Sequence, residues 1–250
     1  ASARAAWQIE DVLPDGATLD FTRPFMPDNL AGTSRAVGLD ARERLVLNQI
    51  RGHEYLAMFG LVEEFVVPFV LDHARPQLSG DDDRVRALLN FASEEAKHIQ
   101  LFRRFQRLFT DSFGVPCAVI GPSEAIAAKI LGHDPLAVAL LMLHIEWMTQ
   151  RHYLDSVRGE TGLDPLFKSL LRYHWMEEAQ HARLDTMMVG ALAEGRDEAG
   201  IAAAVEEYLA LGVFLDEGLA AQANMNIEAL ETAVGRTLPA ADRGALLGQQ

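Results

Sequence analysis

Two stretches of this chain repeat one short pattern: Ser93-Glu94-Glu95-Ala96-Lys97-His98 and Met176-Glu177-Glu178-Ala179-Gln180-His181. Each places Glu-x-x-His inside a long run of helical periodicity, and positions i and i+3 of a helix are neighbours on one face. One such pair says little. Two of them, each preceded by a helix carrying a glutamate on an apolar face, supply what a dinuclear metal site in a four-helix bundle requires: one Glu from each of two helices and Glu-x-x-His from each of the other two.

Antiparallel helices joined by a short turn bring residues equidistant from the turn to one height. Counting back from Glu95 across the polar turn Gln77 to Asp83 reaches Glu63 or Glu64, and counting back from Glu178 across Gly159 to Asp164 reaches Glu146. Thirty-one residues separate Glu64 from Glu95 and thirty-two separate Glu146 from Glu178, so the chain reads as a doubled unit of helix-Glu, turn, helix-Glu-x-x-His. Glu64 shares a stripe with Ile50, His53, Ala57, Gly60, Val67 and Leu71. Glu63 shares one with Gly52, Leu56, Phe59, Val66 and Val70, also apolar; phase favours Glu64, with Glu63 the alternative. Glu95 and His98 lie with Leu88, Phe91, Phe102, Phe105 and Phe109, whereas Glu94 lies with Ala87, Asn90, Lys97 and Arg104 and reads as a solvated-face residue.

The last long helix adds His174, four residues before Glu178, so His174-x-x-x-Glu178-x-x-His181 sets three candidate ligands within a narrow arc. The competing reading of His174 is a hydrogen-bonded core histidine. Asp185 continues the stripe one turn on and is placed to orient an imidazole N–H. His53 shares the Glu64 stripe but sits roughly 16 Å away along the helix axis, too far to join the same ions. Tyr153 lies two turns past Glu146 on its face. It reads as packing, with a redox-active tyrosine the alternative; Trp147 and Trp175 read as packing residues.

The punctuation of the chain fits the same architecture. Residues 1–38, with Pro14, Pro24 and Pro27, read as an irregular arm that packs on the bundle through Trp7, Phe21, Phe25 and Met26. Residues 39–196 form the four-helix bundle, its first helix capped by Asp40 and ending near His73, its second capped by one of Asp81, Asp82 and Asp83 and ending near Phe113. A crossover from Gly114 to Pro135 holds a short helix at Ser123 to Leu131, and it must span the bundle's length because helices two and three run parallel. Asp134-Pro135 and Asp164-Pro165 open helices three and four. Residues 197–250 carry a fifth helix and shorter ones at Ile227 to Val234 and Ala240 to Leu247, packing on the bundle or meeting a partner subunit.

Four carboxylates with two or three imidazoles form a hard oxygen-and-nitrogen donor set, suited to two iron ions or to manganese. With this pattern the chain resembles the ferritin-like di-iron carboxylate superfamily over residues 40 to 194, and His174 makes it similar to the p-aminobenzoate N-oxygenase type within it. That family's pattern falls here on Glu64, Glu95 with His98, Glu146, and His174 with Glu178 and His181. The resemblance implies an all-α, ferritin-like fold and an oxidoreductase that uses O2 on a small organic substrate, such as an amine, drawing on an electron donor. Alternatives from other classes are a ferroxidase or iron-storage subunit, a dimanganese catalase, and a bundle whose site is structural only. Appended segments at both ends argue for a homodimer rather than a cage.

Composition bounds the rest. With 250 residues, 49% of them hydrophobic, the chain can bury one substantial core. It shows no membrane-spanning run. Ala1-Ser2-Ala3-Arg4 lacks the order of a secretory signal, and the single cysteine, Cys117, suits a reducing cytoplasm. A net charge of −14 argues against binding to nucleic-acid phosphates.

Overall fold

The caps and apolar runs become long helices. In the computed structural model, which describes residues 6–248, α1 spans Ala41–Ala74, α2 Asp82–Phe113, α3 Ser123–Leu131, α4 Pro135–Arg151, α5 Pro165–Ala193, α6 Glu198–Val234 and α7 Ala240–Leu247. No strand occurs among the described residues. The N-terminal Ala1 to Arg4, read above against a secretory signal, lies outside them.

Each bundle helix starts on an aspartate. Asp40 accepts from the Glu43 N–H at 2.8 Å while Glu43 accepts from the Asp40 N–H at 2.9 Å, a reciprocal cap. Asp81 accepts from Arg84 N, and Asp134 and Asp164 cap α4 and α5 with proline at the first helical position. Each such cap stabilises by about 1 kcal/mol.

The helices pack as two hairpins, α1 with α2 and α4 with α5, and the crossover carries α3 along α1. The N-terminal arm, broken only by the helical turns Ile9–Val12, Asp28–Ala31 and Thr33–Arg35, is tied down by polar side chains of α1. Asn48 Oδ1 accepts from the backbone of Phe25 and Met26, and Gln49 Nε2 donates to the carbonyls of Phe21 and Arg23. Phe25 then lies so close to α1 that a Cβ at Gly52 would meet its Cβ at 2.7 Å, so only glycine fits there.

Two elements differ from the sequence reading. The expected short helix at Ile227 to Val234 is the end of one continuous helix, α6, packed on α1 and α4. Its polar side chains are taken up by tertiary partners: Gln222 holds the crossover through Ile120 N and Ala118 O, and Asn226 donates to Glu54 at 2.6 Å. At its end α4 does not stop but widens into a π-helical turn over His152–Val157.

The apolar core falls into two principal layers along the bundle. One gathers Phe25, Phe102, Phe105, Phe109 and Phe167; the other gathers Phe65, Phe69, Phe91, Val138 and Met142. Between them lies a belt of buried polar side chains. No helix among the described residues is long and apolar enough to cross a membrane.

Candidate metal centre

The belt is built from one side chain or one motif per bundle helix. Glu63 of α1, Glu95 and His98 of α2, Glu146 of α4, and His174, Glu178 and His181 of α5 are all at most 7% exposed. Donor atoms of Glu63, His98, His174 and Glu178 lie within 4.8 Å of one another, as do those of Glu95, His98, Glu178 and His181. His174 Nε2 stands 3.1 Å from Glu63 and 2.7 Å from Glu178. His181 Nδ1 stands 2.9 Å from both Glu95 and Glu178. Glu178 thus reaches into both groups, with Oε1 toward His98 and His174 and Oε2 toward His181.

The structure brings in Glu63 and not Glu64. Glu64 points outward and pairs with Arg103 at 2.6 Å, its side chain 24% exposed. The reason lies in the crossover: Val119 and Ile120 line one cleft with Ala57, Gly60, Leu61 and Glu64, and α3 runs along α1. The Glu64 stripe is apolar because a loop covers it, whereas the Glu63 stripe faces the other three helices.

A second correction concerns Glu94, read as solvated. His181 Nε2 lies 2.9 Å from Glu94, and Gln180 Nε2 donates to the same oxygen at 2.7 Å. The other motif mirrors this: His98 Nε2 lies 2.7 Å from Glu177, and Lys97 Nζ donates to Glu177 at 2.5 Å. The first glutamate of each Glu-Glu doublet therefore grips the histidine of the opposite motif and the residue before it. A carboxylate only accepts, so the outer nitrogen of each imidazole donates its N–H to that glutamate, which would leave the inner Nδ1 as the nitrogen offered to a bound cation. The doubled Glu-Glu was the signal that could have shown this.

Asp185, expected to orient an imidazole, does not. It is fully buried, and neither of its oxygens has a hydrogen-bond partner among the described residues; Glu94 and Glu177 do that work. Tyr153 is stacked on Trp175 with ring centres 4.5 Å apart, a packing role. His53 is buried against Phe109, at 4.6 Å, away from the belt. Trp147 is 56% exposed and packs in no core layer.

Aromatic rings wall the belt. Phe59 and Phe102 each lie 5.0 Å from His174, and Phe91 lies 4.3 Å from His181. From the arm, Trp7 stacks on His98 at 5.8 Å with the Lys97 ammonium 3.8 Å over its ring. Trp7 is 3% exposed, so the arm seals this side of the bundle.

Charge tests whether these residues fit a pair of cations. Four buried carboxylate oxygens, Glu63 Oε2, Glu146 Oε2 and both of Asp185, have no hydrogen-bond partner among the described residues. Burial first, and then the charge of Glu178, holds the Glu146 carboxyl well above the usual carboxylate range. Burial alone would lower the imidazoles of His98 and His181, but the surrounding carboxylates, Glu178 foremost, outweigh it and raise both well above the usual range. Such a cluster is short of positive charge. Two divalent ions would balance the carboxylates of Glu63, Glu95, Glu146 and Glu178 and take up the orphaned oxygens of Glu63 and Glu146, and the donors, all carboxylate and imidazole, suit iron or manganese.

No family model and no curated protein matches the chain. Among solved structures the fold is similar to R2-like ligand-binding oxidases. A point mutant with an aerobically reconstituted Mn/Fe cofactor aligns at TM-score 0.50 and 16% identity, covering 99% of this chain and 87% of that one. A form with an aerobically reconstituted Mn/Fe cofactor after a long soak aligns at 0.49 and 16%, with coverage of 99% and 87%, and a point mutant with an Fe/Fe cofactor at 0.48 and 16%, with the same coverage. The fold is therefore all-α and ferritin-like.

Proposed function

We propose that this chain binds two metal ions, both iron or one of them manganese, and is an O2-using oxidoreductase acting on a small organic substrate. One observation carries the reading: four carboxylates and three imidazoles from four helices converge in a dry belt with carboxylate oxygens left unpartnered. The ions would be held by Glu63, Glu95, His98, Glu146, His174, Glu178 and His181. Glu178 turns Oε1 to His174 and Oε2 to His181 and would contribute to holding the ions through either oxygen. When bound, such a metal pair supplies the electrons that reduce dioxygen.

The protein's own contribution is orientation and exclusion of water. Glu94 and Glu177 fix the tautomer and tilt of His181 and His98 from outside. Phe59, Phe91, Phe102 and Trp7 keep the belt dry, which strengthens every electrostatic contact within it. His174 adds a third neutral nitrogen, and it supports an N-oxygenase-like chemistry on an amine. We take the molecule to be a cytoplasmic homodimer served by an external electron donor.

Metal analysis of protein from iron-rich culture, followed by anaerobic reduction, exposure to O2 and a screen of aryl amines, tests this. Two ions per chain with O2 uptake and amine oxidation are expected. Protein with no bound metal would overturn the reading. Mineral growth in a shell of many chains would return it to iron storage, and disproportionation of peroxide by a manganese form would make it a catalase.

A further inference from the structure

Beside the belt, on the outer flank of α4 and α5, runs an open groove of about 550 Å³. Its walls are apolar: Trp147 from α4, Leu154 from the π-helical turn after it, and Ala182 and Met187 from α5. Trp147 is 56% exposed and Met187 66%, large side chains left to water on either side of one cleft. Two polar groups punctuate it. Gln150, only 8% exposed, lines the floor with its Nε2 buried and without a hydrogen-bond partner. Arg183, at the exposed rim, makes no ion pair among the described residues.

The groove borders the belt. Gln150 is one helical turn beyond Glu146 on the same face of α4, and Ala182 is one turn beyond Glu178 on α5, each step about 6 Å along the axis. The small side chains of Ala179 and Ala182 leave room beside Glu178 and His181 where larger ones would fill the cleft.

The geometry points to this groove as the substrate site, taking a small, mainly apolar molecule that offers a hydrogen-bond acceptor to Gln150 and carries a negative charge at its outer end against Arg183. A buried amide N–H without an acceptor is costly, and a ligand that supplies one removes that cost. The apolar walls contribute by burial of Trp147 and Met187. The inference deepens the oxidoreductase reading by locating its substrate, but binding in the groove does not itself require metal.

Trp147 gives a readout independent of turnover. Titration of the whole protein with benzoate, benzyl alcohol and benzylamine, which share a ring and differ in charge, should give a saturable change in tryptophan emission with benzoate binding tightest. Trp147→Phe should remove the change. Arg183→Gln should weaken benzoate by roughly three- to fivefold while leaving benzyl alcohol alone. Gln150→Leu should weaken both. No saturable change, benzylamine binding as tightly as benzoate, or an emission change that tracks protein concentration and reports a second copy on this face would each overturn the inference. Metal content measured on the same samples separates the two readings: two ions without binding defeats the groove alone, and binding without ions defeats the metal centre alone.

Discussion

Replacing Glu177 with glutamine tests the reciprocal grip on the histidines. The side chain is 3% exposed and serves two donors, Lys97 Nζ at 2.5 Å and His98 Nε2 at 2.7 Å. Breaking a buried ion pair by removing one partner costs about 3–5 kcal/mol. Here the amide oxygen still accepts one bond, and Lys97, 18% exposed, keeps its contacts with the Trp7 ring and the Trp7 carbonyl. Glu177→Gln should therefore cost the metal-free protein about 2–3 kcal/mol, read as a fall in Tm of roughly 5–10 °C for a chain of this size. Loss of an outer partner of a ligating histidine should also weaken one metal site by about ten- to a hundredfold. Chemical denaturation of the metal-free form and stepwise titration with ferrous ion give the two numbers. A variant with unchanged stability and two unchanged affinities would refute the idea that Glu177 sets His98 in place. Glu94→Gln should weaken the other site in the same way.

Other consequences follow from single contacts. His174→Ala should leave room for metal but change the optical spectrum of the oxidised, metal-loaded protein; an identical spectrum at equal metal content would make His174 a core histidine. Trp7→Ala should cost about 3–5 kcal/mol as a buried aromatic and speed chelator removal of bound metal, and unchanged chelation rates would show that the arm is no seal. Burial holds the His53 imidazole down at about 4, below its ordinary 6.5, so the unfolded chain binds the extra proton between these values. Stability should thus fall by about 3 kcal/mol as pH drops from 6.5 to 4, a slope that His53→Leu should remove in pH-dependent denaturation. Arg236 and the Asp40 N–H hold the Glu43 carboxyl down at about 2, so the tie between the start of α1 and the end of the chain should persist above pH 4.5 and be lost as pH falls toward 2. An Arg236→Gln variant with the wild-type acid profile would contradict that.

Much of the architecture was legible because the chain states it twice. The Glu-x-x-His doublet, the caps at Asp40, Asp134 and Asp164, and the crossover helix at Ser123–Leu131 are local signals, and local signals survive folding. What was not legible depended on long-range cover. Glu64 looked inward because its stripe is apolar, yet that stripe is met by Val119 and Ile120 of the crossover. Glu94 looked solvated because its own helix neighbours are polar, yet α5 brings Gln180 and His181 onto it from 86 and 87 residues away. Asp185 had the right phase for an imidazole partner, but phase fixes direction, not distance. The continuity of α6 rests on long-range packing, with Gln222 and Asn226 taking partners on other segments.

The central claim is that two metal ions sit in the belt and that Glu63, not its neighbour, reaches them. Elemental analysis of wild type, Glu63→Ala and Glu64→Ala, each grown with iron and stripped of loosely held metal, tests both parts at once. The account predicts two ions per chain in wild type and in Glu64→Ala, and one or fewer in Glu63→Ala. No metal in wild type, or two ions retained by Glu63→Ala and lost by Glu64→Ala, would contradict it.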